Sequence, residues 1–168
     1  GKAESIVRAG VEAARRAAGD KFVALDIGPT GALCEPLGSM TFDEAYAVFA
    51  EVVKAGAGAD LIVIETMSDL TELRAALLAA RENSSLPIMC SMTFEESGRT
   101  FTGVLPDAFA LCASPFADVG GINCSLGPDK LLPVMKRVAA YQQKPLFTKS
   151  NAGLPDANMN YHVYPGAV

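Results

Sequence analysis

The sequence lacks tryptophan, contains one histidine in 168 residues, and carries only 7% aromatic residues. Basic residues are also scarce, since 14 Lys+Arg stand against 19 Asp+Glu and the formal net charge is -5 at pH 7. Binding to nucleic acid or to an anionic membrane surface depends on an excess of positive charge, so neither partner is expected. No run approaches the ~20 apolar residues that a membrane-spanning helix needs.

Several short motifs of catalysis and nucleotide binding are absent as well. The sequence holds no CxxC, HExxH, GxGxxG or P-loop pattern, so zinc ribbons, zincins, dinucleotide folds and P-loops gain no support. The amphipathic segment 1–20 lacks the apolar core and cleavage site of a signal peptide. The four cysteines are widely spaced in or beside apolar runs, which is typical of a reducing compartment. The sequence therefore predicts a cytoplasmic protein.

Short apolar runs alternate with helical stretches along the whole chain. The runs are mostly continuous, which is typical of parallel strands covered on both faces; they are 22–29, 60–66, 86–94, 119–128 and 144–153. The helical stretches between them are 41–55, 69–83, 107–113 and 129–141. The first of these opens on a capping box, Thr41 to Glu44, and stops before Gly56. This alternation predicts one α/β domain of parallel βα repeats.

Two architectures fit such repeats. An open doubly wound sheet of five strands needs about this length, whereas a closed (β/α)₈ barrel typically needs ~250 residues and at least ~200. The length of 168 residues alone therefore favours the open sheet.

Polar groups follow each apolar run, at the strand ends where α/β folds collect their chemistry. Helix capping is the simplest explanation for Ser68, Asp69, Thr93 and Asp129. Glu65 directly follows Leu-Ile-Val-Ile, so its carboxylate is expected at the rim of an apolar interior, where a charge needs a partner. Two partners are open: an arginine, Arg74 or Arg99, or a cationic group of a ligand.

Cys124 also ends a strand, between Asn123 and Ser125. A buried cysteine most often acts as a small apolar residue, but a thiolate at a strand end can ligate a metal or act as a nucleophile. A catalytic pair with His162 is weakly supported, because nothing in the sequence orients that histidine. Nor does the spacing require a metal site of Cys34, Cys124 and His162.

Taken together, the strand-end segments resemble the homocysteine S-methyltransferase family, and above all its cobalamin-dependent methionine synthase branch. The segments are DIGPTG (26–31), PLGSMTFDE (36–44), IETMSDLTELRAALLAAR (64–81), MTFEESGRTFTG (92–103), GINCSLGP (121–128) and SNAGLP (150–155). They stand in the family's order and spacing. The resemblance implies a (β/α)₈ TIM barrel, of which residues 1–168 would form a single homocysteine-binding domain with about strands 3 to 7, truncated at both ends.

The resemblance also implies roles for individual residues. Cys124 matches the first of three cysteine thiolates that hold a catalytic zinc, and Glu65 matches the carboxylate that binds the amino group of homocysteine. Asn123 and Ser125 would shape the substrate pocket, and Asp26 would lie at the barrel mouth. In the implied reaction, a zinc-activated homocysteine thiolate accepts a methyl group, from methylcobalamin in the full-length protein, to give methionine.

The sequence departs from the family pattern in one respect that affects activity. It contains no GGCCG segment, which supplies the second and third zinc cysteines, and Cys90 and Cys112 do not replace them. We therefore expect an incomplete zinc site and an isolated chain that is inactive. The expected partners are homocysteine, the remaining barrel strands or further methionine synthase domains, and a second copy through open barrel edges. Two alternatives stay open: a split enzyme, or a non-catalytic open α/β domain that binds a small amino acid or a protein partner.

Overall fold

The computed structural model describes residues 2–152 and 155–161, and in these residues five helices alternate with five strands. The helices are α1 (Ala3–Ala18), α2 (Phe42–Ala55), α3 (Leu70–Asn83), α4 (Pro106–Ala113) and α5 (Pro128–Tyr141). The strands are β1 (Ala24–Ile27), β2 (Leu61–Met67), β3 (Ile88–Met92), β4 (Val119–Asn123) and β5 (Leu146–Lys149). The predicted order of elements is confirmed, although the strands are shorter than the apolar runs.

Local sequence signals account for where the helices begin. The Thr41 side chain accepts a hydrogen bond from the Glu44 amide, and the Glu44 carboxylate accepts one from the Thr41 amide, so α2 carries the predicted capping box. Asp69 caps α3 by accepting from the Glu72 amide. The capping roles predicted for Ser68, Thr93 and Asp129 are wrong. The helices α4 and α5 instead begin at prolines, after Leu105 and Gly127, without a side-chain cap.

The five strands are parallel and lie in the sheet in chain order, β1-β2-β3-β4-β5. A doubly wound sheet requires a reversal of strand order, which places helices on both faces. Unbroken chain order, with right-handed crossovers, places the helices on one face, as in a (β/α)₈ barrel. The preference for an open doubly wound sheet, which rested on chain length, is therefore wrong, and the partial barrel is confirmed.

The two faces of the sheet differ in burial. Side chains alternate between faces along a strand, and Ile64, Cys90 and Ile122 are fully buried on the face that packs against the helices. Their neighbours Val63 and Glu65 are only half-buried on the opposite face. That opposite face, called the concave face below, is where a barrel places its interior, and it carries the candidate site.

Within the described residues, no helix has the length and apolar character needed to cross a membrane.

Candidate functional site

An ion pair crosses the concave face of the sheet. The Lys149 ammonium, at the end of β5, donates a hydrogen bond to Glu65 Oε2 on β2, and the Glu65 side chain is 20% exposed. In a flat sheet, strands three places apart would be about 14 Å from each other. The sheet must therefore curve toward this face to bring the two side chains together. The ion pair therefore brings Glu65 and Lys149 together on the concave face, at the carboxyl edge of the sheet.

The protein partner that the sequence suggested for Glu65 is wrong. Arg99 donates instead to the Gly103 carbonyl at 3.0 Å, within its own loop. Arg74 lies exposed on α3, and α3 packs on the other face of the sheet. Lys149 takes the place of both, because the parallel register sets it opposite Asn123 at the carboxyl end of β4.

A β-bulge in β2 sets the direction of Glu65. The pairing of β2 with β3 shifts between Ile64 and Met67, so that one extra residue is inserted next to Glu65. Thr66, inside this bulge, has a left-handed φ of 62°. A β-branched residue rarely adopts that conformation, which costs roughly 1–3 kcal/mol unless the surroundings hold it.

Asn123 provides the contacts that hold the bulge. Its side chain is fully buried, and its Oδ1 accepts from the Thr66 amide at 3.1 Å and from Ser91 Oγ at 2.8 Å. Its Nδ2 donates to Thr66 Oγ1 at 2.7 Å and to Cys124 Sγ at 3.3 Å. One carboxamide therefore joins the ends of β2, β3 and β4, and it connects Glu65's strand end to the Cys124 thiol.

The turn after β4 presents Cys124 and Ser125 at the same edge. Both residues have left-handed backbones, with φ values of 60° and 59°. The Cys124 amide donates to the Lys149 carbonyl at 2.9 Å, which fixes the turn against β5. Cys124 and Ser125 are half-buried, and the Cys124 thiol lies within electrostatic range of Lys149.

Asp26, at the end of β1, completes a group of charges on this edge. Partial loss of hydration and the negative charge of Glu65 raise the pKa of Asp26, while Lys149 opposes that rise. The hydrogen bond to Glu65 raises the pKa of Lys149, whereas partial dehydration lowers it. The negative charges of Glu65, Asp26 and Cys124 add to the rise. The structure thus places every site residue predicted from the sequence at the carboxyl edge of the sheet: Asp26, Glu65, Asn123, Cys124 and Ser125.

Sequence reasoning missed four residues of this edge: Lys149, Thr66, Ser91 and Glu72. Glu72 is 2% exposed, and its carboxylate accepts from the Thr30 amide at 2.7 Å and from Thr30 Oγ1 at 2.6 Å. This contact holds the loop after β1 against the start of α3. The sequence signal for Lys149 is its position at the end of the last apolar run, because charged residues that end parallel strands lie at the same edge of the sheet.

The described residues do not provide a complete metal site around Cys124. Cys90 is enclosed within β3, where burial raises the pKa of its thiol to about 12, and Cys112 lies on α4. Burial, followed by the charges of Asp69 and Glu72, raises the pKa of Cys34. Among the described residues, no group of three His, Cys, Asp or Glu side chains could hold a metal ion. His162 lies outside the residues that the structure describes.

Comparison with known proteins extends these observations. The chain is 30% identical over 114 residues to the methionine synthase of Mycobacterium tuberculosis (strain ATCC 25618 / H37Rv), an alignment of 64% of the chain and 10% of that protein. The crystal structure of the apo form of the homocysteine methyltransferase MmuM from Escherichia coli superposes with a TM-score of 0.76 at 22% identity. That match covers 90% of the chain and 61% of the solved structure.

The chain therefore spans about a tenth of the methionine synthase and three-fifths of the solved methyltransferase. The sequence pattern of the homocysteine S-methyltransferase family matches residues 1–167, nearly the whole chain. The chain belongs to the homocysteine S-methyltransferase family.

Proposed function

We propose that this chain forms the homocysteine-binding part of a homocysteine S-methyltransferase. The observation that carries the proposal is the Glu65 carboxylate, four-fifths buried at the carboxyl edge of the sheet and already bonded to a primary ammonium, that of Lys149. A site that binds one primary ammonium in this way suits the α-ammonium of an amino acid. Membership of the family supports homocysteine as that amino acid.

Each neighbouring residue has a distinct task in this proposal. Glu65 accepts hydrogen bonds from the substrate ammonium, and Asn123 positions Glu65 by holding the left-handed Thr66 that follows it. Ser125 and Cys124 form the wall toward which the substrate sulfur extends. In the overall reaction the sulfur loses its proton, an S–CH₃ bond forms, and the bond from the donor to the methyl group breaks.

Zinc and methylcobalamin stay predictions from the family resemblance. Zinc would lower the pKa of the substrate thiol, and Cys124 would be one of its ligands. The described residues hold no three-ligand group, so the roles above rest on the protein's side chains alone.

Calorimetric titration of L-homocysteine into the reduced chain tests the proposal. We expect saturable binding that Glu65→Gln weakens about tenfold or more, because the neutral amide loses the charge-assisted hydrogen bonds. Glu96→Gln is the matched control, since Glu96 also pairs with a lysine, Lys130, but both side chains of that pair are exposed. Absence of binding in the wild type, or equal affinity of the Glu65 variant, would contradict the proposal.

The lack of a three-ligand metal group among the described residues favours a second candidate, an amino-acid-binding domain without methyl transfer. The two candidates differ in product formation. Incubation of the chain with homocysteine, zinc and methylcobalamin should give methionine above the level of a heat-denatured sample if the chain is catalytic. Homocysteine binding through Glu65 without methionine formation would identify the second candidate.

A further inference from the structure

Lys149 lies where an amino-acid substrate has to bind. Its ammonium pairs with Glu65, and its backbone carbonyl accepts from the Cys124 amide. The lysine side chain is 57% exposed, whereas the Glu65 side chain is 20% exposed. Glu65 is therefore the fixed member of the pair, and Lys149 is the member that can move without opening the core.

A substrate ammonium that binds at Glu65 competes with the Lys149 ammonium for the same carboxylate. Two ammonium groups at one carboxylate repel each other, so the displaced lysine needs a new anion nearby. An α-amino acid carries that anion on the carbon that bears its ammonium. We infer that Lys149 binds the α-carboxylate of the substrate, so that one internal ion pair is exchanged for two ion pairs to the ligand.

This inference rests on the proposed function and assigns a specificity-determining residue to the same site. Among the described residues, the other cations in the loops at this edge are already bonded elsewhere, Arg99 to the Gly103 carbonyl and Lys130 to Glu96. Asp26 is a competing anion, because it lies within electrostatic range of Lys149. If Lys149 moves to Asp26 instead, it contributes nothing to recognition of the carboxylate, and the two outcomes differ experimentally.

Three ligands separate the contributions of the two charged groups of the substrate. L-homocysteine carries both charges, 3-aminopropane-1-thiol lacks the carboxylate, and 4-mercaptobutanoate lacks the ammonium. We expect the wild-type chain to bind L-homocysteine about tenfold more tightly than 3-aminopropane-1-thiol. Lys149→Met should remove most of that preference, and Lys149→Arg should keep it. Lys130→Met is the control, and it should leave the preference at the wild-type value.

The possible outcomes distinguish this inference from the proposed function. If Lys149→Met retains the preference for L-homocysteine, or binds L-homocysteine more tightly than the wild type, the lysine only competes for Glu65 and the inference is wrong. In that case homocysteine binding through Glu65 still stands. If the wild-type chain binds no L-homocysteine, both are overturned together.

Discussion

At the scale of single residues, Asn123 determines the local geometry of the site. It is fully buried, and it forms hydrogen bonds with Thr66, Ser91 and Cys124 from three different strand ends. Asn123→Ala would leave the Thr66 amide and the Ser91 hydroxyl without their acceptor in the protein interior. We expect the free energy of unfolding to fall by about 3 kcal/mol, measured by urea denaturation.

Ser91→Ala is the matched control for Asn123. It removes one of the four hydrogen bonds but leaves the contacts of Asn123 with Thr66 and Cys124 in place. We expect a loss of about 1 kcal/mol. If the two variants lose equal stability, Asn123 does not have the central position assigned to it here.

At the scale of elements, the contact between β4 and β5 depends on Gly121. A Cβ at this position would lie 2.5 Å from the Phe147 carbonyl oxygen and 2.6 Å from the Phe147 ring. A backbone oxygen cannot move aside without breaking the strand pairing. Gly121→Ala should therefore lower stability by about 2 kcal/mol and displace β5, so that homocysteine affinity falls because Lys149 no longer reaches the substrate carboxylate.

Gly28→Ala serves as the control for that substitution. A Cβ at Gly28 meets no heavy atom within 4 Å, and its φ lies outside the left-handed region. We expect the stability of this variant to stay within about 0.5 kcal/mol of the wild type in the same denaturation experiment. If both variants lose a similar amount of stability, the contact with Phe147 is not the reason that position 121 requires glycine.

At the scale of the whole molecule, two aspartates repeat one contact at the amino edge of the sheet. The Asp60 carboxylate accepts from the Val23 amide at 2.7 Å, and the Asp60 amide donates to the Val23 carbonyl at 2.8 Å. Asp118 makes the same pair of contacts with Ile88, at 2.9 and 2.8 Å. Each aspartate joins the start of one strand to the start of a neighbouring strand.

These contacts make stability depend on pH. The Val23 amide lowers the pKa of Asp60. At Asp118 partial dehydration opposes ionisation, but the Ile88 amide and Arg81 outweigh it and lower the pKa. A carboxyl group whose pKa is lower in the folded than in the unfolded state stabilises the fold above the unfolded pKa. That stabilisation is lost as the pH falls through the folded pKa.

We therefore expect the free energy of unfolding to decrease below about pH 4, and Asp60→Asn with Asp118→Asn to flatten that decrease. Urea denaturation at a series of pH values measures the slope. Asp20→Asn, at an exposed position between α1 and β1, should keep the wild-type slope. An unchanged slope in the double variant would contradict the role given to the two aspartates.

The sequence alone predicted the order of helices and strands, because these depend on local interactions. The capping box of Thr41 and Glu44 spans four residues, and the apolar runs are continuous in the chain. Glu65 and Asn123 were also predicted at strand ends, since polar residues directly follow apolar runs. The resemblance to a family added their expected roles, together with a zinc site that the described residues do not complete.

The tertiary structure decided which of these residues meet. Glu65 and Lys149 are 84 positions apart, and Asn123 and Thr66 are 57 apart. Their contacts depend on the order of the strands, the bulge in β2 and the curvature of the sheet. Periodicity and composition report which face of an element is apolar, but a one-residue bulge or a change in curvature alters neither. The sequence by itself therefore determined the elements and the candidate residues, whereas only the fold determined that Lys149 is the partner of Glu65.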